Sequence, residues 1–352
     1  MPMRLIEIGE VKDKTSARLV ITRSLQIQAP YLALSYCWGT AVKSTVFLQN
    51  DNLENLQLGI DEERLPKSYT DTFQLARDLG YRYIWIDALC IIQDDREDWV
   101  YESRRMAQIY GNAALTIIAG RAAGCEEGFL ENKLRHIVGP CAIPFYDEET
   151  KKQFAAMDKT GEMGHIWVSL PRLCDDGPVS KRGWCYQEAV LSSRALVFGV
   201  EQLHFRCQEL EISEDGRVGR PPPFRLRNSS VSKHAIASSD LKPSEPLNKG
   251  QGVNAASNEE LTRQWLILWY DSVMAYSARY LTDPADVFAA ISGIAQIAKA
   301  KIRSRYLGGL WEADMVRGLL WKPLQVKTRF PPARRRQVAV SRQLQDDIVR
   351  QT

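Results

Sequence analysis

The chain has 352 residues, long enough for one large domain or two smaller ones with a sizeable buried core. Hydrophobic residues make up 45% and charged residues 25%, an ordinary globular mix, and a formal net charge of +3 is too small to argue for a nucleic-acid partner. No run of about 18 apolar residues exists, so no membrane span is expected, and the opening MPMRLIEIGE lacks the apolar core of a signal peptide.

Residues 3–8 and 17–22 read as short strands, and Tyr31 to Tyr36 (YLALSY) as a stronger one. That strand runs into Cys37-Trp38-Gly39-Thr40, where Gly39 can supply a turn. A loop follows, with a short strand expected at Val46–Leu48. The next helix should be capped by Ser68, with Asp71 in the capping-box position, Phe73, Ala76 and Leu79 at helical spacing, and Gly80 closing it. Arg82 to Asp87 (RYIWID) is an apolar strand, so strand, helix and strand make a βαβ unit with parallel pairing.

Asp94, Asp95, Glu97 and Asp98 crowd the start of a second helix. The helix dipole explains them better than a metal does. Trp99, Ser103, Met106 and Tyr110 form that helix's inward stripe, and Ala114 to Ala119 is a buried strand. The alternation predicts an α/β core with a parallel sheet. Residues 120–180 are less regular, with short strands near 140–145 and 165–170. Trp184 to Val190 reads as a short helix, and Arg194–Phe198 and Gln202–Cys207 as a strand pair across Gly199.

Residues 211–258 are rich in Pro, Ser and Gly and read as a linker or surface insertion. Glu259 to Tyr280 is helical. Asp283-Pro284 caps another helix, with Phe288, Ile291, Ile294 and Ala298 inward, and Trp311 to Trp321 is a third. The expected organisation is an α/β core over 1–210, the linker, a helical extension over 259–322 and a basic, disordered tail over 323–352.

The cysteines Cys37, Cys90, Cys125, Cys141, Cys174, Cys185 and Cys207 are odd in number, dispersed, and form no CxxC pair. With four scattered histidines, this pattern predicts no metal, no redox cofactor and no disulfide framework, and a reducing, cytoplasmic setting.

Several long segments resemble the heterokaryon-incompatibility (HET) domain family of filamentous fungi. They are YLALSYCWG (31–39), LPKSYTDTF through ALTIIA (65–119), RGWCYQEAVLSSRALVFGVEQLHFRC (182–207), and YSARYLTDPADVFAAISGIA (276–295) with YLGGLWEADMVRGLLW (306–321). The resemblance implies an effector in non-self recognition ending in programmed cell death. Its partners would be further copies of itself or other incompatibility proteins.

Two of these segments are also similar to TIR domains. Tyr31–Tyr36 resembles the TIR strand that ends in a Ser-Tyr pair, and Trp184-Cys185-Tyr186-Gln187-Glu188 resembles the WC-x-x-E box. An alignment needs a large insertion between the two boxes. This similarity implies a TIR-like, flavodoxin-like fold with NAD as substrate rather than cofactor, and Glu188 as the catalytic carboxylate. A carboxylate beside the ribose can stabilise the positive charge that grows as nicotinamide leaves. The plainer reading pairs Glu188 with Arg182 or Arg194 on a helix surface.

Asp87 ends a central strand, at the edge where open parallel sheets bind ligands. It is a ribose-hydroxyl acceptor or a second catalytic carboxylate, or else a cap for the turn at Ala88–Leu89. Ser35, Tyr36, Trp38 and Gly39 reach the same edge. Trp38 could stack on a ring or simply pack, and Gly39 would let backbone approach a phosphate. Arg182 could hold a pyrophosphate, or pair with Asp175 or Asp176. Trp184 belongs to the same group of substrate-binding candidates. Cys185 lacks an activating base and reads as buried. Two rivals to the enzyme remain: a non-enzymatic adaptor that kills by protein–protein assembly, and a nucleic-acid-directed effector resting on the basic run KTRFPPARRR (327–336).

Overall fold

A nine-stranded sheet forms the centre of the protein, seen in a computed structural model that describes residues 1–9, 17–39, 46–131, 141–145, 164–168, 177–219 and 255–320. Its strands in chain order are β1 (Arg4–Ile8), β2 (Ala17–Ile21), β3 (Tyr31–Ser35), β4 (Tyr83–Trp85) and β5 (Leu115–Ile118). A separate antiparallel pair, β6 (Cys141–Phe145) and β7 (Gly164–Val168), comes next. The large sheet then resumes with β8 (Arg194–Phe198), β9 (Leu203–Cys207), β10 (Glu211–Ser213) and β11 (Val218–Gly219). The spatial order is β11-β10-β9-β8-β5-β3-β4-β1-β2.

Only the middle of this sheet is parallel: β4, β3, β5 and β8 run the same way. The flanking strands are antiparallel, so the parallel sheet expected from the sequence is a mixed one. Connection length is the reason. β8 and β9 are joined by a tight turn in which the Gly199 N–H donates to Gln202 O at 3.1 Å, and such a short link can only return antiparallel. The sheet also extends through β10 and β11, past residue 210 and into the stretch expected to be a linker. The rest of that stretch to residue 254, and the basic tail, lie outside the described residues.

The central strands behave as their composition predicts. All five residues of β3 and all four of β5 are buried, as continuous apolar strands must be when both faces are covered. Trp85 and Tyr110 are fully buried and meet edge to face at 5.5 Å. Each fully buried Leu or Ile here contributes about 1.5–3 kcal/mol.

The helices are α1 (Leu53–Leu58), α2 (Lys67–Asp78), α3 (Asp87–Cys90), α4 (Arg96–Arg104), α5 (Met106–Asn112), α6 (Gly183–Leu191), α7 (Ala255–Ser277), α8 (Ser292–Ile302) and α9 (Met315–Gly318). Helix α2 links β3 to β4 as expected, but Ser68 does not cap it. The chain enters through Pro66, and the Ser68 N–H donates to Cys125 O at 2.8 Å. Asp71 is turned instead to the loop after β5, accepting from the Phe129 and Leu130 N–H groups at 2.7 and 2.9 Å. Local capping thus yields to tertiary pairing. Asp95 does cap α4, through the N–H groups of Glu97 and Asp98. The single helix expected from Trp99 to Tyr110 is broken at Arg105, whose N–H turns to Glu102 O. Val46–Leu48 forms no strand.

In the extension, Asp283 caps a 3-10 turn, Pro284–Val287, that leads through a second turn into α8. Trp311 does not begin a helix. It closes the hairpin β12 (Tyr306–Leu307) to β13 (Leu310–Trp311), and its ring packs edge to face on Trp269 of α7 at 5.6 Å. Burial of the tryptophan outweighs the helical spacing. Among the described residues no helix is long and apolar enough to cross a membrane.

Candidate functional site

The carboxyl edge of the parallel core gathers most of the predicted side chains. Ala33 of β3 pairs with Trp85 of β4, so Ser35 and Asp87 each lie two residues further along and reach the same edge. Asp87 opens the short helix α3, and part of its surface stays accessible. Its Oδ1 accepts from the Tyr36 hydroxyl at 2.9 Å and from its neighbour's amide, Ala88 N–H, at 2.7 Å. Oδ2 accepts from the Trp38 indole N–H at 2.9 Å. The cap reading of Asp87 is therefore true as far as Ala88, but two conjugate donors from β3's end also converge on it.

The hydroxyls of Tyr36 and Tyr69 are 2.7 Å apart. Tyr36 has one proton, and an ionised carboxylate can only accept. Tyr36 therefore donates to Asp87, and Tyr69 donates to Tyr36. Burial raises the Asp87 pKa, while the Tyr36, Trp38 and Ala88 donors and the Arg182 charge hold it down.

Glu188 comes from α6. It is buried, 5% exposed, and burial lifts its pKa from 4.5 to about 7. The Ser35 hydroxyl opposes that rise, the Asp87 charge adds to it, and Arg182 and the Tyr110 hydroxyl oppose it. Ser35 Oγ is fully buried and makes no hydrogen bond of ordinary geometry, which is uncommon for a buried hydroxyl. Tyr110 is anchored by donating to Leu34 O at 2.9 Å.

Arg182 immediately precedes α6 and is half-buried. Its Nη1 donates to Tyr36 O at 3.3 Å. Burial works against its charge, but Cys185, Cys37, Glu188 and Asp87 outweigh that and hold its pKa above the ordinary value. Arg182 is therefore a cation close to two carboxyl groups, while Asp175 and Asp176, its alternative expected partners, lie outside the described residues. Cys185 touches Tyr36 O through its thiol at 3.5 Å; burial, then the Glu188 charge, push that thiol well above its usual range. It is a packed thiol and no nucleophile at neutral pH.

Two predicted residues stand apart. Gly39 has φ +82° and is packed so tightly that an added Cβ would lie 2.8 Å from Gly124 Cα, so its freedom serves a loop-to-loop contact. Trp184 turns toward the extension: its indole N–H donates to Asp286 Oδ2 at 2.9 Å, and its ring meets Trp99 at 6.1 Å. Trp38 is only partly buried and packs against Phe47 at 5.2 Å. Sequence reasoning missed Tyr69 as a member of the cluster and read Tyr110 only as core. Both lie at helical spacing among apolar neighbours, which hides a hydroxyl's role.

The result is two carboxyl groups, a guanidinium, a buried serine hydroxyl and a tyrosine pair at one sheet edge. Such a set can bind a polar, partly anionic ligand and stabilise positive charge developing beside the carboxylates.

Comparison with known proteins adds a family to this geometry. Residues 31–188 match the family described as Heterokaryon incompatibility protein (HET). Heterokaryon incompatibility protein 6, OR allele, of Neurospora crassa is 30% identical over 128 residues, covering 33% of this chain and 18% of that protein. The matched stretch thus spans under a fifth of the curated relative's length. No solved structure matches the chain at a significant level.

Proposed function

Taking as premise that residues 31–188 belong to the heterokaryon-incompatibility (HET) family, we propose that the chain is a fungal effector of non-self recognition and programmed cell death that hydrolyses NAD to nicotinamide and ADP-ribose when self-associated. The observation that carries the catalytic part is the meeting of Glu188, Asp87 and Arg182 at the carboxyl edge of the parallel core. The same reading takes the core as TIR-like. In its support, the parallel strands numbered by their own chain order lie 2-1-3-4, as in flavodoxin-like sheets, which bind ligands where the order reverses. Here that point is the end of β3.

The C1′–N bond to nicotinamide breaks, and the bonding pair leaves with the neutral base. The ribose is left electron-poor, and the ionised Glu188 stabilises it. Water adds to C1′ and gives its surplus proton to Glu188 or to solvent. Asp87 Oδ2 holds the Trp38 N–H and keeps one further lone-pair direction, which suits a ribose hydroxyl. Arg182 supplies positive charge for the pyrophosphate.

The test is nicotinamide release from NAD by the purified chain, clustered artificially, beside folded Glu188→Gln. The parent should release nicotinamide at a rate that climbs as pH rises through about 7, because the ionised Glu188 is the active form. The variant should be inert. A folded, clustered parent that releases none would end the enzymatic reading and leave assembly without catalysis.

A further inference from the structure

Helix α6, which Arg182 leads into and which carries Glu188, is held from two sides. One side is the sheet edge already described. The other is a short piece of the C-terminal extension, roughly 276–293, which lies beyond the matched family region. Its grip begins on the backbone. The Tyr280 N–H donates to Lys181 O at 2.7 Å, and Gly183 N–H donates to Tyr280 O at 2.8 Å, so the two segments pair like parallel strands around Arg182. Arg279 Nη1 donates to Arg182 O at 3.3 Å, and its guanidinium lies 4.7 Å over the Tyr186 ring.

The grip continues along α6. Trp184 donates to Asp286, and Gln187 Oε1 accepts the Gly293 N–H at 3.2 Å. Two glycines allow the approach. A Cβ at Gly183 would lie 2.4 Å from Leu281 Cδ2, and one at Gly293 would lie 3.0 Å from Gln187 Oε1 and 3.1 Å from Leu191 Cδ1 of α6. Cys185 and Glu188 meanwhile belong to the sheet side. One helix therefore presents its chemistry to the sheet edge and its fastening to the extension.

We propose that this piece of the extension is a strap that sets the position of Arg182 and Glu188, with Arg279 and Asp286 as its positioning residues. Each acts through α6: Arg279 on the carbonyl of Arg182, and Asp286 on the indole of Trp184. A partner or second copy that shifts the extension would then change the site without entering it. The catalytic consequence rests on the NAD reading; the strap itself does not.

Two readouts on the full chain keep those apart. The first is hydrogen exchange of amides in 181–191 for Arg279→Met and Asp286→Ala, beside Asp286→Asn, which keeps an acceptor for the Trp184 N–H. Exchange in 181–191 should quicken by about tenfold in the first two, the loss expected for a charge-assisted hydrogen bond. It should stay close to the parent rate in Asp286→Asn, with β3 and β5 unchanged in all. The second readout is nicotinamide release, which should fall in Arg279→Met and Asp286→Ala while the chains remain folded at the assay temperature, and be largely restored in Asp286→Asn. Unchanged exchange in 181–191, or loosening spread evenly over β3 and β5, overturns the strap. A parent chain that cleaves no NAD sinks the catalytic reading alone, and the exchange result still decides the strap.

Discussion

Replacing Glu188 by glutamine should make the protein more stable at pH 8 and at the same time inactive. The carboxyl has an ordinary pKa of 4.5 and is lifted by burial to about 7 in the folded chain. Between those values the folded chain keeps a proton that the unfolded chain has released, so every step up in pH favours unfolding. Below 4.5 the two states bind the proton alike, and above about 7 the cost is complete. The gap of about 2.5 pH units, at about 1.36 kcal/mol each, comes to about 3 kcal/mol. Glutamine is never charged and escapes that cost. Urea unfolding should therefore show Glu188→Gln ahead of the parent by up to about 3 kcal/mol at pH 8, shrinking to under about 1 kcal/mol at pH 5. A site that holds a destabilising charge for a task gains stability and loses function when the charge is removed. A glutamine variant that is no more stable than the parent at pH 8, or ahead by the same margin at both pH values, would refute the placement of a strained carboxyl at this edge.

Tyr36→Phe removes the donor to Asp87 and strands the Tyr69 hydroxyl, so it should cost about 1–3 kcal/mol in urea unfolding. Tyr69→Phe removes only the outer donor and should cost about 1 kcal/mol; equal costs would contradict the direction of the relay. Gly39→Ala places a Cβ against Gly124 at φ +82° and should lose about 1–3 kcal/mol, read from the same unfolding curves. A maleimide probe should modify the exposed Cys141 of the native chain within the time that Cys37, Cys90 and Cys185 stay intact, since all three are buried and their thiols are raised, Cys90 to about 12. Mass mapping checks this, and labelling of Cys185 as fast as that of Cys141 would show that α6 does not seal it.

Much of the core was legible because its signals are local. YLALSY and ALTIIA are apolar or aromatic at every position but Ser35 and Thr116, which suits strands covered on both faces, and β3 and β5 are such strands. The crowd of acids at 94–98 announced a helix start, and Asp95 caps α4. The errors came where a distant group competed. Ser68 and Asp71 have the spacing of a capping box, yet Asp71 is taken by two amides nearly sixty positions away. Trp311 has helical neighbours, yet the Trp269 ring draws it into a hairpin. The stretch from 211 looked like linker because Pro, Ser and Gly are frequent in it and large apolar residues are scarce, but a hairpin needs only backbone hydrogen bonds to add an edge strand.

The candidate site divides along the same line. Strand ends, read from the sequence, were enough to nominate Ser35, Tyr36 and Asp87, because a polar residue ending a buried strand is conspicuous in one dimension, whereas Glu188 was nominated by the resemblance of its WC-x-x-E segment and Arg182 by its place just before that segment. Which of them meet, and in what protonation state, depended on packing. The register of β3 against β4 sets Ser35 level with Asp87, the docking of α6 buries Glu188 beside them, and that burial moves its pKa. The extension decided the rest: it turned Trp184 away to Asp286 and enclosed the backbone of Arg182. Composition and periodicity determine which side chains can form strands, helices and reactive groups. Contacts over a hundred positions apart, and the water they exclude, determine which of those groups become a site.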